Sequence, residues 1–276
     1  MPRKRQGVSL IQGLPVELLS SIFYWASYIE SSGTIQRTPS RGIVNNHAPL
    51  TLFKVCKRWR SIALNTPILF TQLYILEKFP VDIGTIVPLW LECSKSLPLK
   101  IWLNLQDVKH NYKPRGFDSI ILQIRKHLDR IIFFSSSFSY HLSLLFPANE
   151  TICLPALQHL EIASIGKRHE HIYIGFVSAP CLTTVVLGSQ SIGLTQLHLG
   201  GHLTRFMCHR EATLTCMQFY ALLAYNPKLV ECSVITVERR SLAADSAKIT
   251  ETYPTLELPN LTNLSISWIT SVDYLS

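Results

Sequence analysis

The chain has 276 residues, of which 47% are hydrophobic and only 16% are charged, so it holds ample apolar surface for a core and general disorder is excluded. No uninterrupted apolar stretch reaches the roughly 18 residues that a membrane-spanning helix needs. The basic start, Met1-Pro2-Arg3-Lys4-Arg5, is not followed by a long apolar run, so a secretory signal is not predicted.

The net charge of +8 is concentrated near the N-terminus. Residues 1–70 contain nine Lys or Arg residues and two acids, Glu17 and Glu30, which gives this part a charge of +7. The remaining residues are nearly neutral. A basic head on a neutral body predicts that the head meets an acidic partner, either nucleic acid or an acidic protein.

Seven cysteines are spread along the chain, and none forms a C-x-x-C pair. Their odd number and irregular spacing favour packed thiols in a reducing compartment over a disulfide framework or a zinc site. Together with the absence of a secretory signal or apolar span, this predicts a cytoplasmic or nuclear protein with no membrane association.

The first predicted element follows a short basic tail at residues 1–12. Leu14, Leu18 and Ile22 repeat at helical spacing, which predicts an amphipathic helix. Pro15 falls in the first turn, where its missing N–H costs nothing, and Glu17 is favoured there by the helix dipole.

Residues 29–49 are rich in Ser, Gly, Thr, Pro and Asn and are predicted to form a loop. A second helix is predicted over residues 50–63, with its basic side chains largely off the apolar face. Thr66 and Pro67 then offer a cap and a first helical position, which predicts a third short helix carrying Leu69 and Phe70. Three helices in so few residues bury a limited core, and apolar side chains remain for another chain to cover.

The residues of these helices carry a family resemblance. The stretch 14–23, LPVELLSSIF, and the stretch 52–63, LFKVCKRWRSIA, are followed by TPILF at 66–70. This order of motifs resembles the F-box of fungal F-box proteins, and the match covers residues 13–76. Phe70 stands where many members of that family have Trp.

The resemblance implies a docking module that binds a Skp-type adaptor protein and, through it, a cullin. Skp adaptors are acidic, which suits the basic head. By position, the adaptor-binding residues would be Leu14, Pro15, Glu17, Leu18, Ile22, Phe23, Val55, Cys56 and Trp59. Two alternatives to adaptor binding stay open. Leu18 and Ile22 could instead belong to the internal core, and Val55, Cys56 and Trp59 could hold the bundle together instead of touching the adaptor.

The body, residues 77–276, begins with alternating helices and strands. Helices are predicted at Asp82–Ser94, which Pro88 kinks or shortens to its second half, and at Asp118–Leu128. Strands are predicted at Leu99–Leu105 and Ile131–Phe134. Strands that alternate with helices predict parallel β/α units.

From residue 150 onward the pattern P-x-L-x-x-L-x-L recurs. It occurs at 155–162, 180–187, 227–234 and 259–266, with Cys or Val replacing Leu at some positions. The register around 188–213 is left open between Leu194–Leu199 and Leu203–Cys208. A helix is predicted at Leu214–Tyr225. The spacing resembles that of leucine-rich repeats, in which each copy forms a short strand whose leucines enter a stacked core.

The two resemblances together imply an α+β fold: a small three-helix F-box followed by an α/β leucine-rich-repeat-like horseshoe. Its concave face would carry Gln158, His159, Glu161, Thr183 and Glu231. No polar end cap follows the last copy, so we expect either an open last unit or a shortened version of a longer protein.

The sequence offers little sign of chemistry. The pair His169 and His171 lacks further ligands at metal-binding distances, and His198 and His202 are separated by two glycines. Phosphate-binding and nucleophile motifs are missing. We therefore expect no catalytic residue, metal or cofactor. The predicted function is a substrate-recognition subunit of a Skp–cullin–F-box ubiquitin ligase that binds an unknown target protein. The alternatives are a nucleic-acid binder that uses the basic head and an undetected Cys/His hydrolase.

Overall fold

The computed structural model describes residues 10–32, 48–76, 83–104, 117–136, 144–147, 150–162, 177–188, 197–199, 201–208, 214, 216–238 and 255–270. The chain divides into two compact units. The first comprises residues 1–74 and 88–97, and the second comprises residues 75–87 and 98–276. Residues 88–97, which the sequence analysis places in the second domain, therefore belong with the helical head.

The head is built from short helices. Its elements are a 3₁₀ helix at Leu10–Gly13, α1 at Val16–Ser32, α2 at Ala48–Val55, α3 at Lys57–Leu64 and a second 3₁₀ helix at Pro67–Phe70. The helix predicted over 50–63 is thus two helices that break at Cys56. Helix α1 runs to Ser32, so the predicted loop begins later than residue 29, and its part at 33–47 lies outside the described residues.

Aromatic packing fills the core of the head. The Phe70 ring is fully buried and lies edge-on to Trp90, with ring centroids 5.2 Å apart. On another side it meets Phe53 at 6.1 Å. Pro67 occupies the start of the short helix that carries Phe70, as predicted. Phe70 is therefore a core residue of the head.

Trp90 is supplied by α4, at Ile83–Cys93, which continues through Pro88. The prediction that this proline shortens the helix to its second half is wrong. Pro88 removes one backbone donor from the helix, and the boundary between the two units falls between Val87 and Pro88.

A mostly parallel sheet of eight strands lies largely in the second unit, in the order β1-β2-β3-β5-β7-β9-β10-β11. These strands are β1 at Gln72–Leu76, β2 at Leu99–Asn104, β3 at Ile131–Ser136, β5 at His159–Ile162, β7 at Thr184–Leu187, β9 at Arg205–Cys208, β10 at Glu231–Glu238 and β11 at Asn263–Thr270. A smaller parallel sheet contains β4 at Ile152–Cys153, β6 at Val177–Ala179 and β8 at Leu197–Leu199. The prediction of a mixed fold with parallel β/α units is confirmed.

Helices and short strands alternate with the strands of the large sheet. Helix α5, at Phe117–Arg125, leads through a 3₁₀ turn at Leu128–Arg130 into β3, and α6, at Cys216–Tyr225, leads into β10. The helices predicted at 118–128 and 214–225 are therefore confirmed, with small shifts of their ends. In contrast, β5, β7 and β9 are each preceded by a strand of the small sheet.

On the inward face of the large sheet, residues that are in register on successive strands form a ladder. In register, these residues are Ile101, Phe134, Leu160, Val185, Phe206, Cys232 and Leu264. All but Leu264 are at most 2% exposed. The ladder settles the open register: residues 203–208 supply the strand of the large sheet, whereas Leu197–Leu199 lies in the small sheet.

The recurring proline forms a turn before each strand that carries it. In all four copies, the amide two residues after the proline donates to the carbonyl of the residue before it, at 3.1–3.2 Å: Leu157 to Leu154, Leu182 to Ala179, Leu229 to Asn226 and Leu261 to Leu258. Proline fits the second position of such a turn because its φ is already set.

A shared carbonyl joins each of these strands to the next. The Gln158 carbonyl accepts the amides of Thr183 and Thr184 at 2.9 and 3.0 Å, and also the Thr183 hydroxyl at 3.0 Å. One strand later, the Thr183 carbonyl accepts the equivalent three hydrogen bonds, from the amides of Thr204 and Arg205 and from the Thr204 hydroxyl. Each strand is therefore registered on its neighbour before the regular ladder begins.

The cysteines differ from the prediction of packed thiols. Cys208 and Cys232 are buried, and burial raises the pKa of their thiols to about 12 and about 11. Cys153 and Cys181, however, are exposed. The prediction is wrong for these two because they stand at outward positions of short strands and turns.

Candidate partner-binding surface

Helix α1 is apolar on two faces. Leu19 and Phe23 are each 1% exposed and form its inner face. Leu18, Ile22 and Trp25 are 52%, 49% and 58% exposed, and their spacing of four and three residues places them along one other stripe of the helix. We call this stripe the uncovered face of α1. It is apolar surface that the chain leaves in contact with solvent.

Phe23 belongs to the inner face and not to the uncovered one. Its ring lies 4.9 Å from the indole of Trp59, between ring centroids, and Ile62 and Ala63 of α3 are buried in the same unit. The structure therefore makes Phe23 a core residue that holds α1 against α3. Trp59 is half-buried. Part of its side chain packs on Phe23, and the rest is exposed to solvent.

Val55 and Cys56 lie at the junction of α2 and α3. Val55 is 53% exposed at the end of α2. Cys56 has extended backbone angles and caps α3, because its sulfur accepts the amide of Trp59 at 3.4 Å. Cys56 is thus a structural residue of the bundle, whereas Val55 adds a further exposed apolar side chain to the head.

The start of α1 positions the remaining predicted residues. Leu14 is half-buried, and its carbonyl accepts a hydrogen bond from the guanidinium of Arg58. The Pro15 carbonyl accepts the first helical bond, from Leu19 at 3.1 Å. Pro15 and Glu17 are both exposed. Arg58 therefore fixes where α1 begins relative to α3.

The basic side chains of α2 and α3 divide into two groups. Arg58 binds the Leu14 carbonyl, and Arg60 donates from Nε and Nη2 to the Phe53 carbonyl, at 3.0 and 2.8 Å, in the last turn of α2. Both arginines therefore stabilise the fold of the head. The positive charge of Arg60 also interacts favourably with the negative, C-terminal end of the α2 dipole. Lys54 and Lys57 are exposed and make no ion pair or hydrogen bond with any residue that the structure describes.

Trp25 is the residue of the uncovered face that the sequence analysis missed. It follows Ile22 by three positions and Leu18 by seven, so helical periodicity alone would have placed it on their stripe. Its ring lies edge-on to that of Tyr24, with ring centroids 5.6 Å apart. A large indole held at the surface in this way is typical of a protein–protein contact.

The outward face of the large sheet carries the other predicted site. His159, Glu161 and Glu231 occupy outward positions of β5 and β10, whereas Gln158 and Thr183 stand one residue before their strands and join the carbonyl ladder. One outward row runs, in register, through Lys100, Phe133, His159, Thr184, Arg205, Glu231 and Asn263.

Ring contacts and an ion pair connect neighbouring side chains on this outward face. The rings of Trp102 and Phe133 lie 4.6 Å apart. Arg205 Nε binds Glu231 Oε2 at 2.7 Å. Burial lowers the pKa of His159, Glu161 raises it and Arg205 lowers it further, with the net shift downward. The outward face therefore offers aromatic surface over β2, β3 and β5 and a neutralised charge pair over β9 and β10.

Other kinds of site find little support in the described ranges. No three His, Cys, Asp or Glu residues among them are placed to hold a metal ion, and His169 and His171 lie outside those ranges. Likewise, none of the described helices is both long and apolar enough to cross a bilayer. No family model, curated protein or solved structure matches this chain.

Proposed function

We propose that this chain is the substrate-recognition subunit of a ubiquitin ligase, with a head that acts as an F-box and binds a Skp-type adaptor. The observation that carries the proposal is the division of α1: Leu19 and Phe23 are buried, while Leu18, Ile22 and Trp25 remain half-exposed or more. Two residues of the uncovered face, Leu18 and Ile22, lie within the stretch 14–23 that resembles an F-box.

The energetics of the uncovered face fit a docking role. Full burial of a Leu or Ile side chain from complete exposure contributes about 1.5–3 kcal/mol, and Leu18 and Ile22 are about half exposed, so covering them would contribute about half of that each. Together with the Trp25 indole they would form the apolar centre of a contact. The exposed Lys54 and Lys57 would add attraction to an acidic adaptor and speed the encounter. Since these lysines are exposed, their contribution would weaken as salt is added.

The second unit would then present the target. Stacked parallel strands with turns at recurring prolines support a leucine-rich-repeat-like array, whose outward rows of side chains form one continuous surface. A subunit that holds both adaptor and target raises the local concentration of target lysines near the ubiquitin carrier. The transfer chemistry would belong to other subunits of the ligase.

Co-purification with a Skp adaptor tests the proposal. Wild type should form a complex, and the double variant Leu18→Asp/Ile22→Asp should lose it, because two carboxylates replace the apolar contact. Both positions are exposed, so the helical circular dichroism of the variant should match that of wild type.

Leu122→Asp is the matched control, because Leu122 of α5 is exposed to the same degree as Leu18. This variant should bind the adaptor as wild type does. Binding that survives the double substitution would reject the uncovered face as the docking surface. Failure of folded wild type to bind any Skp adaptor would reject the F-box assignment.

A further inference from the structure

The last strand of the large sheet leaves its inward residue open. Leu264 of β11 continues the ladder in which Phe206 and Cys232 are fully buried, yet it is 51% exposed. Ile266 and Leu261 of the same unit are half-buried, while their equivalents Val234 and Leu229 are buried. An apolar row thus lies open beside β11.

The backbone of β11 also has an edge that faces away from β10. Its pairing with β10 runs through eight consecutive residues, from Asn263 to Thr270, without a shift of register. In the part of the chain that the structure describes, no strand pairs with its other edge. A regular edge of this length presents unpaired N–H and C=O groups to any strand that approaches.

The edge lacks the features that usually prevent self-association. Residues 258–272 contain no Asp, Glu, Lys or Arg, and the only proline, Pro259, precedes the strand. Natural edge strands are commonly protected by charges, prolines or bulges. Since β11 has none of these, two copies of it approach without like-charge repulsion.

We propose that β11 pairs with β11 of a second copy of this chain. A two-fold axis normal to the sheet sets the two strands antiparallel and keeps the inward face of both copies on the same side. The two sheets then form one continuous sheet, and the apolar row of Leu264 and its neighbours is covered by the same row of the second copy.

Light scattering after gel filtration tests this on the full chain, from about 1 to 100 μM, a range in which a contact of modest area assembles. The mass of wild type should rise with concentration from 31.3 kDa toward twice that value. Leu264→Lys should stay monomeric throughout, because it replaces an apolar contact with a charged side chain that pairing would have to bury.

Two controls separate this contact from others. Leu122→Lys, at an equally exposed position on α5, and Ile22→Asp, on the uncovered face of α1, should both dimerise as wild type does. Hydrogen exchange of residues 263–270 should slow at high concentration in wild type and not in Leu264→Lys. A monomeric wild type, an undisturbed Leu264→Lys dimer, or loss of the dimer in Ile22→Asp would each overturn the proposal.

Discussion

The phenyl ring of Phe133 and the imidazole ring of His159 stack on the outward face of neighbouring strands, with centroids 4.4 Å apart and planes 11° from parallel. Because the pKa of His159 is lowered in the fold, the unfolded chain takes up a proton more readily as the pH falls. The contribution of His159 to stability is therefore complete above the ordinary histidine pKa of about 6.5 and is lost as the pH falls through that value to the lowered one.

The first prediction follows from the direction in which stability changes with pH. Between about pH 7.5 and pH 5, wild type should lose more unfolding free energy than His159→Gln, as measured by urea denaturation. His127, whose pKa burial also lowers, remains in the variant and leaves a smaller decline there. Equal declines in the two proteins would show that His159 does not titrate as its surroundings indicate.

The second prediction compares two neighbouring leucines of α1. Leu19→Ala should destabilise the head by about 2–5 kcal/mol, because it opens a cavity in the core, whereas exposed Leu18→Ala should change stability by about 0.5 kcal/mol or less. Urea denaturation followed by Trp fluorescence provides the measurement. A larger loss for Leu18→Ala than for Leu19→Ala would reverse the assignment of the two faces.

The third prediction uses two positions of the same inward ladder. Leu160→Ala should cost about 2–5 kcal/mol, while Leu264→Ala should cost about 1 kcal/mol or less at protein concentrations where the chain is monomeric. Thermal denaturation at low micromolar concentration compares the two. Similar losses would mean that Leu264 is covered in solution by part of the same molecule.

The fourth prediction concerns Arg205 and Glu231, which form two contacts between partly exposed side chains. A double-mutant cycle with Arg205→Gln and Glu231→Gln should give a coupling of about 1 kcal/mol or less, because solvent screens exposed pairs. The coupling should vanish near 1 M salt. A coupling that persists there would indicate a far less solvated pair.

Much of the second unit could be predicted from the sequence. The pattern P-x-L-x-x-L-x-L records both the turn at the proline and the inward alternation of the strand, so Leu160 and Val185 were placed correctly. Residues 188–213 were harder, because Leu194–Leu199 shows the same spacing as a true copy. Periodicity identifies a strand with one buried face, but it does not tell in which of two parallel sheets that strand lies.

The head shows a different limit. Leu18, Leu19, Ile22 and Phe23 are all apolar, so the sequence could identify an amphipathic helix but not decide which stripe faces inward. That choice is made by tertiary packing, here by Trp59 against Phe23. The break at Cys56 was also missed, because a thiol that caps a helix by accepting an amide is a weak signal beside Ser or Asp.

The shared carbonyls of Gln158, Thr183 and their successors have a consequence for how such a chain can change. Successive links of this kind span 25, 21, 26 and 32 residues, at Thr183, Thr204, Val230 and Thr262, yet each preserves the same pair of amide-to-carbonyl bonds. At the three threonines the side-chain hydroxyl adds a third bond to the same carbonyl. The number of residues between successive links therefore varies, while the hydrogen bonds at each junction between two strands stay the same. Insertion or deletion of residues between two junctions would change one connection and leave the pairing of the other strands as it is.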